Sequence, residues 1–243
     1  VYFICLFAVS VGCVYETGLE VSMMSSHLAL PREGHLTQVL QIFSYLRKYH
    51  NAEMVFDPSD PVIDHAAFER QDWTSSEFGH IDGEEELPAN MPQPRGQGFT
   101  MRAKVDADHA ADTVTRRSRT GFLVYLNCAP IYWFSKKQTS VESSSFGSEF
   151  VAMKQCCEYI RGLRYKLRMM GIPCTGPAYI EGDNQSVLCN TSIPDSTLRK
   201  KNQSIAYHFV REGAARDEWR TSYVNTHDNE ADLLTKLLPS GEK

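Results

Sequence analysis

Thr100-Met101-Arg102-Ala103-Lys104-Val105-Asp106 alternates apolar and polar side chains and ends on a carboxylate. Alternation with a period of two marks a strand with one buried face. Two similar runs follow, Gly121-Phe122-Leu123-Val124-Tyr125-Leu126 and Ile131-Tyr132-Trp133-Phe134, separated by a turn that holds Asn127 and Pro130. Three consecutive strands with short links make an antiparallel meander. Then the period changes. Over residues 148–170, Phe150, Met153, Cys157, Ile160, Leu163 and Leu167 recur at helical spacing. A fourth strand-like run, Ala178-Tyr179-Ile180-Glu181-Gly182, stops at Asp183. The long helix before it is a crossover, so strand four pairs parallel to strand one. A short helix from Asn184, a helix over 203–213, a fifth strand over 219–224 and a last helix starting near Asn229 complete the order. The expected fold is α/β. Its five-stranded mixed sheet has three antiparallel strands plus two further strands, with helices on both faces.

That order gives meaning to four acids. Asp106 and Asp183 end neighbouring strands, Glu149 lies in the first turn of the long helix, and Asp232 opens the last one. A helix N-terminus favours a carboxylate. Four carboxylates converging on one place repel each other unless divalent cations sit between them. Such a cluster fits two hard ions, most naturally Mg2+ with Mn2+ able to replace it, which together activate a water at a phosphodiester. No Ser-His-Asp order, Gly-rich phosphate loop or His-rich zinc motif competes.

Seven short motifs then point to a family. They are Val105-Asp106-Ala107-Asp108, residues 117–122, residues 133–138, Ser143-Ser144-Ser145 with Ser148-Glu149-Phe150, residues 182–186, residues 207–212, and Ala231-Asp232-Leu233-Leu234-Thr235-Lys236. In this order they resemble the ribonuclease H domain of copia-type LTR retrotransposon polyproteins. The resemblance implies a ribonuclease H-like fold and an Mg2+-dependent endonuclease that hydrolyses the RNA strand of RNA–DNA hybrids. It implies Asp106, Glu149, Asp183 and Asp232 as catalytic metal ligands; Asp108 shares the first motif as a backup ligand and reads as facing away or serving a loop. A YxDD-type polymerase motif is absent, so the implied reverse transcriptase partner is not in this chain.

The sequence departs from the family pattern at Phe146-Gly147-Ser148-Glu149 and at Lys201-Asn202, where a Lys-His pair is usual. His227 stands in a shortened region before the last acid and reads as an exposed loop residue. Arg117, Lys136, Lys137 and Lys201 suit a phosphate backbone, which confers affinity without sequence information. Asn184 and Gln185 are candidates for sugar hydroxyls. Arg161, Arg164, Lys166 and Arg168 read as the wet side of the long helix. An alternative is a catalytically inactive nucleic-acid-binding remnant of a decayed element. A DNA-strand-transferring relative fits poorly, because such enzymes usually place the glutamate last.

The first hundred residues differ in charge. Residues 1–100 hold 5 Lys/Arg and 14 Asp/Glu, against 20 and 16 in residues 101–243, so only the second part suits a polyanion. Residues 1–19 form an apolar segment too short for a membrane span and without the basic start of a signal peptide; it reads as a truncated or mis-joined piece. Residues 20–67, helical over 20–50 with Pro31 as a stop or start and with a strand candidate at 53–56, resemble a remnant of the reverse transcriptase connection region. Residues 68–98, with Glu84-Glu85-Glu86, Pro88, Pro92 and Pro94, read as an extended, mobile tether. The ribonuclease H-like domain spans 99–239, and 240–243 is a tail. Seven cysteines without a CxxC pair indicate reduced thiols in an intracellular protein of cytoplasm or nucleus. Neither a small-molecule cofactor nor a membrane partner is expected.

Overall fold

The computed structural model describes residues 17–74, 84–197 and 204–236. Two helices come first, α1 (Gly18–Ser25) and α2 (Glu33–Lys48). Then follow β1 (Met101–Ala107), β2 (Arg119–Leu126), β3 (Ala129–Lys137), α3 (Ser145–Met169), β4 (Ala178–Gly182), α4 (Gln185–Ser192), α5 (Ser204–Ala215) and β5 (Trp219–Tyr223). Two 3-10 turns close the described chain, Thr226–Asp228 and Glu230–Leu234.

The sheet order is β3-β2-β1-β4-β5. β2 runs antiparallel to both β1 and β3, while β4 is parallel to β1 and β5. This is the five-stranded mixed sheet, three antiparallel strands plus two further strands, expected from the strand order. Asn127 makes the β2–β3 hairpin, with φ at +55°, a left-handed conformation that asparagine tolerates. Its amide also accepts the Thr100 N–H at 2.8 Å and donates to the Pro58 carbonyl at 2.8 Å, tying the hairpin to the start of β1.

One face of the sheet carries α3, α4 and α5 over a single core. Phe122, Val124, Met153, Cys157, Ile160, Ile180, Val210 and Trp219 are buried there. Trp219 is buried against Gly213, and its indole N–H donates to the Val210 carbonyl. The opposite face, marked by Gly121, Leu123 and Trp133, is covered by α1 and the second 3-10 turn. Helical elements therefore lie on both faces, though the second cover is small.

Several boundaries differ from expectation. Helix α3 starts at Ser145 rather than 148, because the Ser144 hydroxyl caps it by accepting the Gly147 N–H. Glu149 consequently lies in the second turn, where the dipole contributes less. The last helix is replaced by 3-10 turns, pinned where the Asn229 amide donates to the Val105 carbonyl. Residues 20–50 form two helices on either side of Pro31, as its place in the stretch suggested, but 53–56 form no strand; Val55 and Phe56 are exposed.

The tether also differs. Phe68 and Trp73 are buried. Glu85 accepts paired hydrogen bonds from both Arg164 and Arg168, two side chains that are buried rather than on a wet face. Arg95 donates its backbone N–H to Gly171 at 2.9 Å. The described parts of 68–98 thus run along the sheet domain and α3. Low apolar content could not reveal this, because the partners are charges 79 and 83 residues away.

Candidate metal centre

Asp106 sits near the end of β1, and Asp183 directly follows β4. Parallel pairing aligns Val105 with Gly182, which sets the two aspartates side by side. Glu149 reaches the same point from α3. Ligand oxygens of Asp106, Glu149 and Asp183 all lie within 4.8 Å of one another. Asp106 is fully buried, and the other two are half-buried.

The electrostatics match that crowding. Burial, reinforced by Asp232 and Asp183 and opposed by Lys236 and the Thr235 hydroxyl, pushes the Asp106 carboxyl up to about 6. Burial, then repulsion from Asp106 and Asp183, pushes Glu149 up to about 9. For Asp106 and Glu149, burial and mutual repulsion both disfavour the charged form. Hard-cation chemistry fits these residues, since three oxygen donors converge and repel each other.

Asp232 lies one step away. Its carboxylate is bound by Lys236 at 2.9 Å, and the same ammonium reaches Asp106 at 3.4 Å. The Thr235 hydroxyl donates to the other Asp106 oxygen. Asp108 is turned to the loop, as expected, and accepts the Arg119 N–H. Sequence reasoning assigned no role to Thr235, Lys236 or Thr226, although the first two stand in a quoted motif. Thr226 donates its hydroxyl to Asp183 at 2.9 Å.

The candidate nucleic-acid contacts separate. Arg117 and Lys136 are exposed. Lys137 is half-buried and paired with Asp112 at 2.8 Å, a bond that helps hold Asp112 well below the usual carboxylate range, so its charge is already engaged. The Asn184 side chain caps α4 by accepting the Val187 N–H, and Gln185 is exposed on the first turn of that helix. Lys201 lies outside the described residues. His227 is exposed.

Transposon polyproteins are among the known proteins with similar sequence. The chain is 34% identical over 144 residues to the retrovirus-related Pol polyprotein from transposon RE2 of Arabidopsis thaliana, covering 59% of this chain and 10% of that protein. It is 33% identical over 177 residues to that from transposon RE1 of the same plant, 67% of this chain and 12% of the relative. It is 25% identical over 219 residues to that from transposon TNT 1-94 of Nicotiana tabacum, 90% of this chain and 14% of the relative. This chain is homologous to copia-type Pol polyproteins.

It spans 10% to 14% of the length of these copia-type relatives. No family model matches it. Among solved structures, RNase H1 of Halobacterium salinarum is 15% identical, with TM-score 0.43, covering 56% of this chain and 94% of that one. LC11-RNase H1 in complex with an RNA/DNA hybrid is 9% identical, with TM-score 0.45, covering 56% and 94%. Among the described residues, no helix is long and apolar enough to cross a membrane.

Proposed function

We propose that this chain carries a retrotransposon ribonuclease H that hydrolyses the RNA strand of RNA–DNA hybrids. The observation that carries the reading is the convergence of Asp106, Glu149 and Asp183, from a strand, a helix and a strand end, within 4.8 Å. Asp106, Glu149 and Asp183 would hold divalent ions, with Asp232 as a fourth donor. Bound there, two Mg2+ ions would supply the chemistry of an activated water and of charge stabilisation at the leaving oxygen of a phosphodiester. The chain's own part is geometric. Asp106 is locked by burial and the Thr235 hydroxyl, and Asp183 is steadied by Thr226. Exposed Arg117 and Lys136 suit phosphates, and Gln185, beside Asp183, suits a 2′-hydroxyl. A reverse transcriptase domain of the same polyprotein would share the grip on the hybrid.

The test is cleavage of a labelled hybrid by the full chain with Mg2+ and with chelator. Asp183→Asn, which keeps the side-chain shape, is expected to lower the rate at least about a hundredfold while leaving circular dichroism unchanged. Equal rates in variant and parent would overturn the reading. Hybrid binding without cleavage by the parent would favour the inactive remnant.

A further inference from the structure

The acidic site has two unequal halves. On one side, ligand oxygens of Asp106, Glu149 and Asp183 face each other within 4.8 Å, and Lys236 acts on Glu149 and Asp183 only through its charge. On the other, the Lys236 Nζ stands between two carboxylates, 3.4 Å from Asp106 Oδ1 and 2.9 Å from Asp232 Oδ1. Asp106 is fully buried and its second oxygen is taken by Thr235, and among the described residues Lys236 is the cation that faces it. The lysine is anchored on the same turn, four residues after Asp232, where its backbone N–H is bonded to the Asp232 carbonyl at 2.9 Å. Its side chain nevertheless remains 39% exposed on a flexible stem, which leaves it a way out to solvent.

We infer that Lys236 is an internal counter-ion that holds the Asp106–Asp232 half of the site until a second divalent ion displaces it. This rests on the two-ion reading of the site. The ammonium and such an ion compete for the same two oxygens, and like charges a few ångströms apart cannot both stay. On the Glu149–Asp183 side the ammonium makes no hydrogen bond, so an ion there meets a weaker competition, limited to the shared Asp106 and to longer-range repulsion. The lysine thereby makes the second ion bind more weakly than the first. It keeps the ion-free protein from carrying two unbalanced acids against β1. Lys236 is a positioning residue in this scheme and need not touch substrate.

Calorimetric titration of the full chain with Mn2+, without nucleic acid, tests this. Wild type is expected to bind one ion tightly and a second more weakly. Lys236→Gln is expected to tighten the second step about tenfold and to leave the first nearly unchanged. Lys236→Arg, which keeps the charge, should behave like wild type. Lys236→Met, which keeps the stem, serves as a second charge-free variant should glutamine disturb the turn. The ion-free Gln and Met variants should also melt below wild type. An unchanged second step in a charge-free variant overturns the role of Lys236 while leaving the metal centre standing. Absence of Mn2+ binding in wild type and both charge-free variants overturns the metal centre and the lysine's role together.

Discussion

Glu149 concentrates the electrostatic tension of this protein in one side chain. Its carboxyl rises from an ordinary 4.5 to about 9, and that of Asp106 from 3.8 to about 6, each first through burial. Both shifts point the same way. An acid whose native value is raised keeps a proton that the unfolded chain has released, so its favourable contribution is complete below the unfolded value. It is lost as pH climbs through the native one. The ion-free protein should therefore lose melting temperature steadily from about pH 4 to pH 9, and Glu149→Gln, which cannot ionise, should flatten that slope. Melting curves in chelator across this range check it; a flat or rising wild-type profile contradicts it. Glu85 does not confuse the window. Burial would raise its carboxyl, but hydrogen bonds from Arg164 and Arg168 outweigh this and hold it at about 2, so its contribution is present above 4.5 and fades only in stronger acid. At this scale the three converging acids were legible from strand and helix order alone. Lys236 was not, because a lysine in a motif does not say which carboxylates its ammonium will reach.

At the level of elements, the junction between β2 and the last 3-10 turn decides how the fourth acid is delivered. Gly121 is opposite Asp106 in the register, and its missing side chain is the space the turn uses. A Cβ there would lie 2.6 Å from Thr235 Cγ2, 2.9 Å from Leu234 Cβ and 3.1 Å from the Ala231 carbonyl. Two of these three atoms are fixed by the turn itself, and the Ser135 hydroxyl binds the Leu234 carbonyl at 2.7 Å. Gly121→Ala must then lift the turn off the sheet, carrying Thr235, Lys236 and Asp232 away from Asp106. The expected loss is about 1–3 kcal/mol in chemical denaturation, together with weaker Mn2+ binding in the same calorimetric titration. Unaltered stability and ion affinity would show that the turn accommodates the methyl group. The sequence reading placed a helix here, starting near Asn229 and opened by Asp232. It could not show that Asn229 spends its amide on β1, which holds the segment in short turns too close to the strand for an α-helix.

For the whole molecule, the largest departure from the sequence reading is where the folded unit begins. The five strands and their order follow from alternation and crossover length, both local properties. The covering segments do not, because their partners lie far along the chain. Leu19 is buried on the far face, where Gly18 lies against Trp133 and Leu234, and Ser22 bonds the Arg119 guanidinium. Phe68 packs edge-on to Tyr179 at 5.0 Å, Trp73 lies 4.8 Å from the Arg211 guanidinium, and Glu85 neutralises two arginines buried on α3. A fragment of residues 99–243 keeps every strand and all four acids yet loses these covers. Burying each large apolar side chain is worth roughly 1.5–3 kcal/mol, and leaving buried charge without its partner costs about 3–5 kcal/mol. Together these approach the whole stability of an ordinary domain, on the order of 5–15 kcal/mol. Thermal unfolding of three lengths separates the contributions: the full chain should melt highest, a fragment from residue 84 lower, and one from residue 99 lowest or without a cooperative transition. Equal melting of all three would mean that the covers lie on the domain without stabilising it. If the order holds, lack of hybrid cleavage by the 99–243 fragment reflects lost folding rather than lost chemistry, and only the full chain can decide the function of its acids.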